Sequence, residues 1–126
     1  MWYNVLSLVV GGSMGILGRY GVLLWLGRQQ WLGFPASTFT VNMVGSLLIG
    51  FLWGWLDVPQ MPDTLKNFLF VGFLGGFTTF STFALEIMQR FQSGDLKAAL
   101  LYVLLSNVLG VLLAFAGLWL GSRLHG

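Results

Sequence analysis

The sequence predicts an all-α membrane protein with four transmembrane helices. Three observations predict it. Of 126 residues, 56% are hydrophobic and 8% charged, with a mean hydropathy of +0.82, whereas a soluble domain carries roughly 25% charged residues. The apolar residues fall into four stretches, each near the ~20 residues that cross a bilayer. The stretches are continuous and lack the alternation of barrel strands, which run about ten residues each. In hydrocarbon each backbone amide must be paired internally, so continuous spans are helices.

The first span covers residues 5–26 and is interrupted by Arg19. The second covers 38–56, bounded by Pro35 before it and by Asp57-Val58-Pro59 after it. The third covers 65–91 and holds the unusual stretch GGFTTFSTF, Gly75 to Phe83. The fourth covers 96–121 and ends at Ser122-Arg123-Leu124-His125. Connections are short, and residues 1–126 read as a single domain without a linker or low-complexity tail.

Composition also excludes several classes. Aromatic residues make up 16% of the chain, too many for a disordered segment. There is no cysteine, so no disulfide, thiolate metal site or cysteine nucleophile exists. Net charge is +2 with six scattered basic residues, which gives no patch for nucleic acid. Met1-Trp2-Tyr3-Asn4 has no basic residue and no cleavage pattern precedes Arg19, so a secretory signal is not expected.

Lysine and arginine near the helix ends normally set orientation. Here Lys66 and Arg123 lie on the side of both termini, against Arg28, Arg90 and Lys97 on the other. So small a bias predicts insertion in both orientations, and oppositely oriented copies can pair as an antiparallel homodimer. A weak single-orientation signal is the other reading. Four such helices are expected to form a solid bundle, which places a substrate path more easily between copies. Gly11, Gly15 and Gly18, and Gly50 and Gly54, have the small-xxx-small spacing of close helix contacts.

Polar groups inside a membrane helix tend to face protein or water. Thr38, Asn42 and Ser46 share one face of the second span, and Tyr102 and Ser106 share one face of the fourth. In the third, Thr79, Phe83, Glu86 and Arg90 follow one face, and Thr82 shares it with Glu86 and Arg90. A Glu86–Arg90 pair at i,i+4 is expected. Arg19 either snorkels to the interface or draws an anion inward.

Gly75-Gly76 weakens a helix by up to about 1 kcal/mol per glycine, and the hydroxyls of Thr78-Thr79 compete for backbone bonds. A break near Gly75–Thr79 would free carbonyls able to hold a monovalent cation; a glycine pair also serves packing. The phenylalanines are either packing residues or a row whose positive ring edges meet an anion.

Gly72-Phe73-Leu74-Gly75-Gly76-Phe77-Thr78-Thr79-Phe80-Ser81-Thr82-Phe83 closely resembles the third-helix signature of the Fluc/CrcB family of bacterial fluoride channels. The stretch from Ser37 to Gly45 resembles that family's second-helix motif, with Asn42 at its asparagine, and Gly18-Arg19-Tyr20 its first-helix pattern. The resemblance spans essentially the whole chain. It implies an antiparallel, dual-topology homodimer in the bacterial inner membrane, with two fluoride pores and one central Na+ that is structural and not transported. The same resemblance assigns Na+ to the backbone carbonyls of Gly75 and Thr78, and the meeting of fluoride with ring edges to Phe80 and Phe83. Asn42 would donate to fluoride near the vestibule. Ser81, Thr82 and Tyr102 would form a polar track with Ser106 beside it, and Glu86 would sit at a pore end. Some members carry a further hydroxyl where Gly110 stands here.

The expected function is passive fluoride export. The rival is a small dual-topology, proton-coupled drug exporter, which needs a carboxylate in its first helix, and none is present. No GxxxxGK[ST] loop occurs, and the sole histidine, His125, has no nucleophile to serve, so an enzyme is not expected.

Overall fold

The computed structural model describes residues 1–125. Helix α1 runs Trp2–Leu26 and α2 Ala36–Trp55, and the third span is Asp63–Gln92. The third span divides into α3, residues 63–77, and α4, Phe80–Gln92. Helix α5 is Leu96–His125. The four spans are long and apolar enough to cross a membrane, so the chain is a multi-pass membrane protein. Each extends a few residues beyond its apolar run, because helix caps and terminal polar residues lie outside the hydrocarbon-like stretch.

Between α1 and α2 the chain forms a small hairpin, β1 Gln30–Trp31 and β2 Phe34–Pro35. Its two turn residues have positive φ, 56° at Leu32 and 86° at Gly33, as tight hairpin turns require. Arg90 fixes this hairpin: its Nε donates to the Gly33 carbonyl at 2.7 Å and a terminal nitrogen donates to Gln30 Oε1 at 3.0 Å. The Glu86–Arg90 pair expected from spacing does not form. The hairpin gives Arg90 better-placed acceptors than a neighbour on its own helix.

The helices pack mainly as two pairs, α1 with α3 and α2 with α5. Glycine makes both pairs close. A Cβ on Gly76 would lie 2.7 Å from the Gly12 carbonyl oxygen, and one on Gly54 would lie 2.5 Å from that of Leu118. Gly11 and Gly15 face the Phe68 and Phe73 backbone in the same way, so these small-residue rows serve contacts within the chain. Contact is concentrated inside each pair, and the expected solid bundle does not result. Instead an open cleft of about 370 Å³ lies where α2, α3, α4 and α5 meet.

Candidate functional site

The cleft is built around the break in the third span. Thr78 (φ −90°, ψ 162°) and Thr79 (φ −151°, ψ 118°) are extended, while Gly75 is helical (φ −63°, ψ −36°). The break therefore falls on the threonine pair, at the end of the stretch where it was expected. Gly76 stays helical because it is the contact point with α1.

Asn42 of α2 holds the broken backbone. Its Nδ2 donates to the Thr79 carbonyl at 3.0 Å and its Oδ1 accepts from the Thr79 amide at 2.9 Å. Its Oδ1 thus replaces the helical acceptor that the Thr79 amide lacks, and its Nδ2 adds a second donor to a carbonyl that already caps the start of α4. One hydrogen on Nδ2 remains for a ligand. Thr79 then starts α4: its hydroxyl accepts from the Thr82 amide at 3.3 Å and meets the Thr82 hydroxyl at 3.1 Å. Arg19 turns inward, and its Nε donates to the Gly76 carbonyl at 3.0 Å. It does not snorkel outward, since that carbonyl has lost its helical donor to the break.

Gly75, Thr78, Thr79 and Asn42 line the cleft together with Phe80, Phe83 and Ser106. Phe80 is 77% exposed and Phe83 only 6%, with ring centroids 5.7 Å apart. Ser106 Oγ is buried and has no hydrogen-bond partner among the described residues. Ser81 is exposed and is not brought into the cleft. The Met43 Cε methyl and Ser46 Oγ stand 3.4 and 3.5 Å from where a Gly110 side chain would begin, ordinary contact distances, so a small side chain would fit there.

Beyond Phe83 the column continues to Tyr102, T-shaped at 4.8 Å. The Tyr102 hydroxyl donates to Glu86 Oε1 at 2.8 Å and the Thr38 hydroxyl donates to Oε2 at 2.9 Å. Tyr102 is fully buried within the chain, so its side chain does not face lipid. Phe34 of the hairpin stacks on the Tyr102 ring, with centroids 4.6 Å apart and planes 3° apart. Sequence reading missed Phe34: a two-residue strand carries no periodic signal, and only its burial shows the role.

Comparison with known proteins gives the family. Residues 6–118 match the family model described as "CrcB-like protein, Camphor Resistance (CrcB)". The chain belongs to the CrcB family. It is 42% identical to the "Fluoride-specific ion channel FluC" of Parabacteroides distasonis, covering 96% of this chain and 94% of that one. It is 43% identical to a protein of the same name from Thermus thermophilus, over 96% and 95% of the two chains. Bacillus subtilis "Fluoride-specific ion channel FluC 2" is 41% identical, over 95% and 88%.

Proposed function

We propose that this CrcB protein is a fluoride-specific ion channel of the bacterial cell membrane that passively exports cytoplasmic fluoride. The near full-length similarity to bacterial proteins named for that activity carries the reading. The cleft chemistry agrees with it. Phenylalanine edges carry partial positive charge, and the free Ser106 hydroxyl and remaining Asn42 hydrogen are neutral donors. Such groups replace part of an anion's water shell without a full cationic charge that would retain it. The negative cell interior drives the anion outward, and fluoride that enters as neutral hydrogen fluoride leaves by the pore. The drug-exporter alternative has less support. Helix α1 has no acid, and the Glu86 carboxylate already accepts from Tyr102 and Thr38.

The working unit in this reading is an antiparallel homodimer of dual topology. Polar backbone at membrane depth is tolerated only where protein or a water-filled cavity covers it. The cleft is open and exposes Thr78 and Thr79 on one side, and a second copy supplies the missing cover. No amide donates to the Gly75 or Thr78 carbonyl across the break, and both residues line the cleft. No group of three acidic or histidine residues able to hold a metal occurs among the described residues. Neutral carbonyls suit a monovalent cation, so the break fits a structural Na+ held by Gly75 and Thr78. Two carbonyls are few for a bare cation, and a two-fold axis doubles them. The ion's contribution is to offset the carbonyl dipoles of the facing breaks.

Reporter tags at the C-terminus test dual insertion. Both sides of the membrane are expected to give signal, and a single orientation in every cell would contradict the antiparallel dimer. Fluoride release from liposomes tests the function. There Phe80→Ile is expected to depress fluoride flux severely while the dimer persists on gel filtration, and unchanged flux would remove Phe80 from the path.

A further inference from the structure

The ring column has an end piece that the channel reading above does not use. Phe34 is 1% exposed although it belongs to a two-residue strand in a loop. Its ring lies parallel on Tyr102 at 4.6 Å and tilted against Phe39 at 5.2 Å. Tyr102 also meets Phe83, in the T-shaped contact at 4.8 Å. Tyr102 is thus packed against a ring from the hairpin and a ring of the cleft, and its hydroxyl is bonded to Glu86 Oε1.

We infer that Phe34 is a positioning residue: held in place by the Arg90–hairpin bonds, it fixes the Tyr102 ring against Phe83 and its hydroxyl on Glu86. The chain of causes is short. Arg90 binds the Gly33 carbonyl, the residue just before Phe34, and Gln30 on the facing strand. The hairpin is therefore anchored to the helix that carries Phe83 and Glu86. Any displacement of the hairpin removes one wall of the Tyr102 slot. A ring with one free face can tilt, which changes both its contact with Phe83 and the direction of its hydroxyl. Aromatic pairs have preferred geometry beyond simple burial, so an aliphatic side chain of similar volume does not reproduce the stacked contact.

The flux consequence rests on the fluoride-channel reading, whereas the ring geometry does not. The test uses the full chain, labelled with ¹³C-tyrosine in detergent, and Tyr102→Phe assigns the Tyr102 signal. In Phe34→Ala the Tyr102 ring resonance is expected to move and broaden while Tyr3 and Tyr20 stay in place. Fluoride release from liposomes is expected to fall about tenfold, the scale that one aromatic pair's energy sets on a rate. Phe34→Leu keeps most of the volume and Arg90→Gln keeps Phe34 itself; both are expected to shift Tyr102 in the same direction. If Phe34→Ala does not fold, these two variants decide the matter. A Tyr102 resonance unmoved in the folded variants overturns the inference, and so does lost flux with an unmoved Tyr102. If the unaltered chain releases no fluoride, the channel reading fails, and the tyrosine signal still judges the role of Phe34.

Discussion

Gly50→Ala is expected to force α2 and α5 apart and destabilise the protein by at least about 3 kcal/mol, the upper end of the usual overpacking cost. An added Cβ would overlap the Ala114 carbonyl oxygen, and it would stand 2.8 Å from the Ala114 carbonyl carbon and 3.0 Å from the Leu118 nitrogen. These are backbone atoms and cannot rotate aside. Gly117 and Gly121 make the matching approach from α5, against Leu47 and Phe51. The pair α2–α5 is the most extensive helix contact in the molecule, so the loss reaches the whole fold. Gly21→Ala is the control, since nothing lies within 4 Å of its added carbon. That change should be neutral or should stabilise by up to about 1 kcal/mol through helix propensity. Thermal unfolding of the two variants in detergent checks this, and equal stability of both would show that the close α2–α5 packing is not real.

Asn42→Ala is expected to loosen the break and lower stability by about 2 kcal/mol, through two lost hydrogen bonds and a Thr79 amide left unpaired. The loss is moderate because Asn42 is half-buried and borders an open cleft, where water replaces part of what is lost. Asn42→Asp keeps the acceptor for the Thr79 amide but removes the donor to its carbonyl, so it should fall between the two. Hydrogen exchange at the Thr79 amide is the direct readout. Exchange should be slow in the unaltered protein and much faster in Asn42→Ala. Equal rates would mean that Asn42 does not hold the break.

The four spans were legible because hydrophobic length is a local property, and so was the unusual character of GGFTTFSTF. The position of the break within that stretch was not. The glycines are the weaker helix formers, yet Gly76 packs on α1 while the Thr79 amide finds its acceptor in Asn42, 37 positions away. Only a tertiary contact distinguishes the two. The same limit explains Arg90, whose partners are 57 and 60 positions distant and outcompete the neighbouring Glu86. Helical spacing did place Thr38, Tyr102 and Glu86 on polar faces, but not the fact that the two hydroxyls converge on one carboxylate. Phe34 left no trace in the pattern, because a hairpin of two-residue strands has no period to read.

The most direct measurement of the proposed function is ion release from liposomes that contain the purified full chain, followed with ion-selective electrodes. Fluoride should leave rapidly and chloride should stay behind, with no ATP and no proton gradient supplied. Equal release of chloride, or retention of both anions by liposomes shown to contain folded protein, would contradict the account.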